Sequence, residues 1–156
     1  MVNFVGAGPG GEDLITLRGA RLLGEAYCII YAGSLVNPAL LKIAKEGCEI
    51  YDSAKMTLEE VIDVIKRVEM QGRMTVRLHT GDPCLYGAIR EQMDLLDELQ
   101  ISYEYIPGVS SFCGAAAAIN AEYTLPDVTQ TVIITRMEGR TPVQEKEKMH
   151  LLAQAG

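Results

Sequence analysis

Short apolar runs alternate along this chain with segments in which hydrophobic residues recur every three or four positions. The runs are typical of buried strands, and the longer spacing is typical of amphipathic helices. Because helical segments separate the strands, the order predicts an α/β fold with a five-stranded parallel sheet, right-handed crossovers and helices on both faces. The strands are predicted at Val2–Val5, Tyr27–Tyr31, Cys48–Tyr51, Met74–His79 and Tyr103–Ile106.

Local signals indicate where several helices begin and end. Asn37 and Pro38 form an N-cap and N1 pair, which predicts a helix that Gly47 ends. Thr57 and Glu60 have the spacing of a capping box, and apolar residues at helical spacing follow them. Further helices are predicted at Leu17–Ala26, Tyr86–Leu99 and Gly114–Ala118.

The last quarter of the chain differs from the part before it. Tyr123–Gln130 contains Pro126 and is predicted to be a linker. Thr131–Thr135 is β-branched and is predicted to be a sixth strand, and Val143–Gln154 is predicted to be helical. We therefore expect an α/β domain over residues 1–122, a linker over 123–130 and the beginning of a second α/β domain over 131–156.

Composition excludes several classes of function. With 14 basic and 21 acidic residues the net charge is −7, which argues against non-specific binding to nucleic acid. The sequence has no run long enough to span a membrane, and Gly, Pro, Glu and Asp enter by position 13, so no signal peptide is indicated. The 4 cysteines lack CxxC spacing, which favours buried thiols in a reducing cytoplasm over disulfides or metal ligands.

The first loop carries a glycine pattern with more than one interpretation. Gly6, Gly8 and Gly11 spell GxGxxG between a strand and a helix, as in dinucleotide-binding loops. That class also needs an acidic residue at the end of the second strand, and none stands at Ile30–Gly33, while Pro9 falls inside the turn. A turn needed only for close packing and a loop lining a ligand cleft both remain open.

A second loop follows the fourth predicted strand. Gly81, Asp82 and Pro83 form a tight turn, and ligands of open parallel sheets bind at the carboxyl ends of the strands. With the hydroxyl of Thr80, this turn offers backbone groups and a carboxylate. That set suits a zwitterionic ligand with an extra positive charge better than a bare phosphate. The alternative is that Asp82 is only a turn residue before proline.

The third loop at this edge is Pro107–Ser111. Ser110 or Ser111 is predicted to cap a helix of small residues, whose first N–H groups attract anions. An ordinary N-cap explains the same pattern.

Isolated histidines and arginines give weaker signals. His79 and His150 have no partner spacing for a metal or a catalytic triad, so core packing and surface exposure are their expected roles. Arg18, Arg77 and Arg136 have the geometry to pair with ligand carboxylates, although single arginines are more often structural or surface charges.

Five sequence blocks surround the loop with HTGDP…YGAIREQ. In chain order they are VGAGPGGEDLITLRGARLL, YAGSLVNPALL, DSAKMTLEEVIDVI, YIPGVSSFCGAAAAIN and LPDVTQTVIITRMEGRTPV. Together these blocks resemble those of the tetrapyrrole methylases, and the resemblance covers essentially the whole chain. YAGSLVNP and HTGDP…YGAIREQ are similar to the branch of that family that methylates C11 of precorrin-4 or cobalt-precorrin-4 in cobalamin biosynthesis.

The resemblance implies a C-methyltransferase that uses S-adenosylmethionine and releases S-adenosylhomocysteine. In-line methyl transfer depends mainly on alignment, which can contribute roughly 7–11 kcal/mol, so we expect neither a catalytic triad nor a metal and assign no catalytic residue. The implied partners are a corrinoid precursor and a second copy of the chain, in the cytoplasm. The implied cofactor-binding residues are Pro9, Thr80, Gly81, Asp82, Tyr86, Ser110 and Ser111, and the implied substrate-binding residues are Arg18, Arg77 and Arg136.

Two departures from the family pattern qualify these expectations. Cys84 stands where the family usually has serine, and the chain ends at Gly156, early in the family's second domain, so we expect a fragment. Thr131–Thr135 is then expected to pair with another copy or a sheet edge. Two alternatives stay open: a methyltransferase acting on another tetrapyrrole position, a protein or an RNA, and an inactive cofactor-binding or assembly domain.

Overall fold

A computed structural model describes residues 1–139 and 141–154. Two compact units are present, Met1–Ala115 and a second one that starts at Ala116. This boundary precedes the expected linker at residues 123–130, and the domain limits stay a prediction. Within the described residues, no helix is both long and apolar enough to cross a bilayer.

The first unit is built on a five-stranded sheet with the order β3-β2-β4-β1-β5. Every pairing in it is parallel, with Gly6 opposite His79 and Val5 opposite Ile106 at the carboxyl ends. The predicted fold class is therefore confirmed. The strands are β1 (Val2–Gly6), β2 (Cys28–Tyr31), β3 (Glu49–Asp52), β4 (Thr75–His79) and β5 (Tyr103–Ile106).

Helices cover both faces of this sheet. On one face, α1 (Leu17–Glu25) buries Leu22 and Leu23 in a cluster with apolar residues of the sheet. On the other face, α2 (Leu58–Met70) and α3 (Arg90–Glu98) pack around Phe4. α4 (Ser111–Ala118) follows β5.

The capping box of α2 is present as predicted. The Thr57 hydroxyl accepts a hydrogen bond from the Glu60 N–H at 3.2 Å, and Glu60 Oε2 accepts one from the Thr57 N–H at 2.7 Å. We expect Thr57→Ala to lower the free energy of unfolding by about 1 kcal/mol, because it leaves a helix-terminal N–H without its acceptor. Urea unfolding of this variant measures the loss. Thr57→Ser keeps the acceptor and should stay near the original value, and equal loss in both would contradict the capping argument.

Two predicted helices are shorter than expected. The segment after Asn37 is a 3-10 helix, Pro38–Ile43, which ends because Ala44 takes an extended conformation (ψ 139). The helix predicted from Tyr86 begins at Arg90 instead. Tyr86 and Ala88 have φ of 59 and 48, which a right-handed helix cannot accommodate.

The second unit departs most from the sequence prediction. Thr131–Thr135 forms no strand, so that prediction is wrong. A β-branched run needs a neighbouring strand for its backbone groups, and among the described residues of this unit the β-pairing is an isolated bridge between Leu125 and Thr129. The helix predicted at Val143–Gln154 is reduced to a 3-10 turn and α5 (Met149–Leu152). The end of the segment predicted as 131–156 lies outside the described residues.

Candidate functional site

Three loops meet at the carboxyl edge of the sheet, because β1 lies between β4 and β5. The first two are joined beyond the last paired residues. Ala7 donates its N–H to the His79 carbonyl at 2.7 Å, and Gly8 and Gly81 exchange two backbone hydrogen bonds of 3.2 and 2.9 Å. The loops after β1 and β4 therefore form one continuous surface at the edge where open parallel sheets bind ligands.

Glycines allow the backbones of all three loops to approach one another. A Cβ on Gly6 would lie 2.6 Å from both the Gly108 Cα and the Gly81 carbonyl oxygen, and a Cβ on Gly108 would lie 2.2 Å from that same oxygen. Neither position has room for a side chain. The close-packing interpretation thus accounts for Gly6, the first glycine of GxGxxG, without excluding a ligand cleft above it.

Asp82 connects the turn after β4 to the loop after β5. Its Oδ1 accepts hydrogen bonds from the Tyr105 hydroxyl and from the Cys84 N–H, the latter at 2.9 Å. Its Oδ2 accepts one from the Gly108 N–H at 3.0 Å. Both carboxylate oxygens are thus engaged within the protein, and the side chain sets the relative position of the two loops.

The same contacts determine the charge of Asp82. Partial burial acts to raise its pKa, but the hydrogen bonds from Tyr105, Cys84 and Gly108 together outweigh burial and lower the pKa below the ordinary value. The carboxylate is therefore ionised at neutral pH. Burial and the neighbouring carboxylate raise the pKa of Tyr105, so its phenol stays protonated and keeps donating.

The start of α4 completes this edge. A Cβ on Gly81 would lie 3.4 Å from the Ser111 nitrogen and 3.6 Å from the Ser110 Cα. A Cβ on Gly114 would lie 2.5 Å from the Pro9 Cβ, so the first turns of α4 lie against the glycine-rich loop. The structure thus brings together Pro9, Gly81, Asp82, Ser110 and Ser111, five of the seven predicted cofactor residues.

The other two predicted residues flank this group. Thr80 is half-buried and directly precedes Gly81 in the turn. Tyr86 belongs to the loop that leads into α3, and its side chain is 61% exposed.

The three predicted arginines have different local surroundings. Arg18 is exposed and donates to Glu104 Oε1 at 2.9 Å, on the sheet face that α1 covers. Arg77 is only 3% exposed inside the opposite face, and burial lowers its pKa to about 10. Arg136 belongs to the second unit and donates to the carbonyls of Met137, Thr141 and Pro142.

Sequence reasoning missed several residues that shape the edge. Tyr105 and Asp82 are 23 positions apart, so no local pattern could connect them. The sequence predicts Asn37 as an N-cap, but its Nδ2 also donates to the Gly10 carbonyl at 2.7 Å and so fixes the first loop. The sequence places Gln92 in a helix, but it does not show that this side chain is buried.

Comparison with known proteins identifies the class. A family model described as Tetrapyrrole (Corrin/Porphyrin) Methylases matches residues 1–155. The chain belongs to the tetrapyrrole methylase family.

Within this family, the chain is similar to enzymes that act on precorrin-4 or cobalt-precorrin-4. The chain is 58% identical over 152 residues to the cobalt-precorrin-4 C(11)-methyltransferase of Methanocaldococcus jannaschii, covering 97% of this chain and 59% of that protein. It is 45% identical to the precorrin-4 C(11)-methyltransferase of Pseudomonas aeruginosa, covering 97% of this chain and 60% of that protein. The chain thus spans about three fifths of the length of these relatives.

Solved structures of related proteins agree with this family membership. The structure of a cobalamin biosynthetic enzyme, a cobalt precorrin-4 methyltransferase, superimposes with a TM-score of 0.95 at 50% identity, over 99% of this chain and 64% of that one. A Thermus thermophilus uroporphyrin-III C-methyl transferase complexed with S-adenyl homocysteine gives a TM-score of 0.65 at 32% identity, over 74% of this chain and 51% of that one.

Proposed function

We propose that this protein is an S-adenosylmethionine-dependent methyltransferase that acts on C11 of precorrin-4 or cobalt-precorrin-4 in cobalamin biosynthesis. The observation that carries the proposal is the junction of three loops, which approach closely at Gly6, Gly81 and Gly108, around an ionised Asp82. The 58% identity to a cobalt-precorrin-4 C(11)-methyltransferase supports the choice of substrate. A homodimer in the cytoplasm is part of the same proposal.

The residues at this edge fit the methyl donor. S-adenosylmethionine carries a sulfonium and an ammonium, which a carboxylate attracts, and a carboxylate of its own, which helix-terminal N–H groups attract. Asp82 supplies the negative charge, and the first turn of α4 supplies backbone donors beside Gly81. We assign the cofactor to Pro9, Thr80, Gly81, Asp82, Tyr86, Ser110 and Ser111.

The work of the protein in this reaction is alignment. Bound S-adenosylmethionine supplies a methyl group that is already activated, and the chain holds the acceptor carbon in line with it and excludes water. Asp82 contributes to this alignment indirectly, because the hydrogen bonds that it accepts from Tyr105 and Gly108 fix the spacing of two loops.

Anionic groups of the macrocycle require cationic partners. Arg18 and Arg136 are the stronger candidates, since the guanidinium of Arg77 is buried and already hydrogen-bonded inside the fold. A substrate contact by Arg77 would require that face of the sheet to open.

Separate incubations with three candidate substrates test the proposed function. The protein is incubated with S-adenosylmethionine and with precorrin-4, cobalt-precorrin-4 or uroporphyrinogen III, and products are analysed by mass spectrometry. We expect a singly methylated product from one or both precorrin-4 forms. Methylation of uroporphyrinogen III alone would indicate the other branch of the family, and binding of S-adenosylhomocysteine without turnover of any substrate would indicate a binding domain.

The charge of Asp82 gives a sharper prediction for the site. Asp82→Asn removes the negative charge and replaces one of two accepting oxygens by an NH₂ donor. We expect at least a tenfold loss of affinity for S-adenosylhomocysteine, as for a lost charge-assisted contact of about 1.5–3 kcal/mol. Calorimetric titration measures it. The control is Asp63→Asn on the exposed face of α2, and equal affinities in both variants would remove Asp82 from the site.

A further inference from the structure

The loop between the Gly-Asp-Pro turn and α3 has a costly backbone conformation. Tyr86 and Ala88 both have positive φ, at 59 and 48, although neither is glycine. The loop is folded closely onto the turn, because a Cβ on Gly87 would lie 2.2 Å from the Pro83 carbonyl oxygen. Strained backbone of this kind persists only where surrounding contacts hold it, and such contacts gather at ligand sites.

One buried side chain of α3 holds this loop by a hydrogen bond to its backbone. Gln92, the third residue of α3, is 6% exposed, and its Nε2 donates to the Ala88 carbonyl at 3.1 Å. The residue that precedes α3, Ile89, offers no side-chain cap. The amide of Gln92 therefore fixes the strained carbonyl directly before the helix.

Arg77 determines which way that amide faces. Its Nε donates to Gln92 Oε1 at 2.8 Å, and its Nη1 donates to the Ile30 carbonyl at 2.7 Å. A guanidinium has donors only, so it can accept nothing from the amide NH₂ group. The oxygen of Gln92 must face Arg77, and the NH₂ group is left to face Ala88.

We propose that Gln92, oriented by Arg77, is a positioning residue that holds the loop of residues 84–89 in the conformation that receives the cofactor. This inference rests on the proposed function for the identity of the ligand. The chain of contacts runs from β4 through Gln92 to Ala88, and the loop carries Tyr86 beside the turn of Asp82.

Gln92→Glu separates positioning from folding. The glutamate keeps an oxygen acceptor for Arg77, now as an ion pair, but it has no donor for Ala88 and places an oxygen against that carbonyl. We expect an unfolding midpoint in urea equal to or above the original. We expect about a tenfold loss of affinity for S-adenosylhomocysteine and faster hydrogen exchange of the amides in residues 84–89. Gln71→Glu, an exposed glutamine at the end of α2, is the matched control and should change none of the three.

A second pair of variants avoids the core. Ala88 is exposed, so substitutions there leave the contacts between Arg77 and Gln92 intact. Glycine adopts positive φ without penalty and valine resists it, so Ala88→Gly should keep the affinity and Ala88→Val should lose about tenfold.

The outcomes distinguish this inference from the proposed function. A folded Gln92→Glu protein with original affinity and exchange overturns the positioning role, as does equal affinity in the two Ala88 variants. If the unmodified protein binds no S-adenosylhomocysteine, the proposed function fails. In that case unchanged exchange in Gln92→Glu still refutes the hold on the loop, and faster exchange supports it.

Discussion

Replacing Gly108 by alanine is expected to lower the free energy of unfolding by about 2–4 kcal/mol. The added methyl would lie 2.2 Å from the Gly81 carbonyl oxygen and 2.8 Å from the Gly6 Cα. All the atoms in its way are backbone, so no side chain can swing aside and one of the loops must move. The same movement would break the bond from the Gly108 N–H to Asp82 and should abolish cofactor binding.

A second glycine provides the control for this prediction. Gly24 lies in α1, where a Cβ would meet nothing closer than 3.6 Å. Gly24→Ala should raise the free energy of unfolding by about 0.5–1 kcal/mol, because alanine favours the helix. Urea unfolding of both variants gives the comparison, and a Gly108→Ala protein as stable as the original would show that the three loops are not packed as described.

Acid should destabilise the protein through His79. This side chain is 4% exposed and its Nε2 has no hydrogen-bond partner among the described residues. Burial, reinforced by the charge of Arg77, lowers the pKa of His79 from 6.5 to about 3. Unfolded chains bind a proton at this residue below about pH 6.5 and the folded chain does not, so stability is full above that pH and falls between pH 6.5 and 3.

The loss is expected to reach about 2 kcal/mol at pH 5. Carboxylates titrate mainly below this range, so His79 dominates the slope between pH 7 and pH 5. Urea unfolding at several pH values measures the slope, and His79→Gln should flatten it. His150→Gln, at an exposed position, should leave it unchanged. A slope that persists in His79→Gln would assign the acid sensitivity to other groups.

The sequence predicts the sheet well because its signals are local. Apolar runs identify β1 to β5, and the capping box at Thr57 identifies the start of α2 within a few residues. The failures have different causes. Tyr86 and Ala88 lie in a segment predicted to be helical, yet both have positive φ, and the buried Gln92 side chain holds the Ala88 carbonyl. Thr131–Thr135 has strand propensity, but propensity forms no strand without a neighbour to pair with.

The candidate site also has a part that the sequence predicts and a part that only the structure shows. Parallel topology places the loops after β1, β4 and β5 at one edge, so Pro9, Gly81 and Ser110 could be grouped from the sequence. The contacts of Asp82 with Tyr105 and of Arg77 with Gln92 join residues 15 or more positions apart, and only the folded chain shows them. The burial of Arg77 likewise depends on the register of β4 against β1 and β2.

The position of β1 between β4 and β5 has a consequence for biosynthesis. This strand is synthesised before both neighbours, which end at His79 and Ile106. At typical translation rates its apolar segment waits roughly 5–20 s on the ribosome before both partners have been made. During that time a fully buried strand of the finished protein is exposed, and α1 is the first α-helix after it that can shield one of its faces. Nascent chains of this protein are therefore expected to need chaperone protection until β5 has emerged.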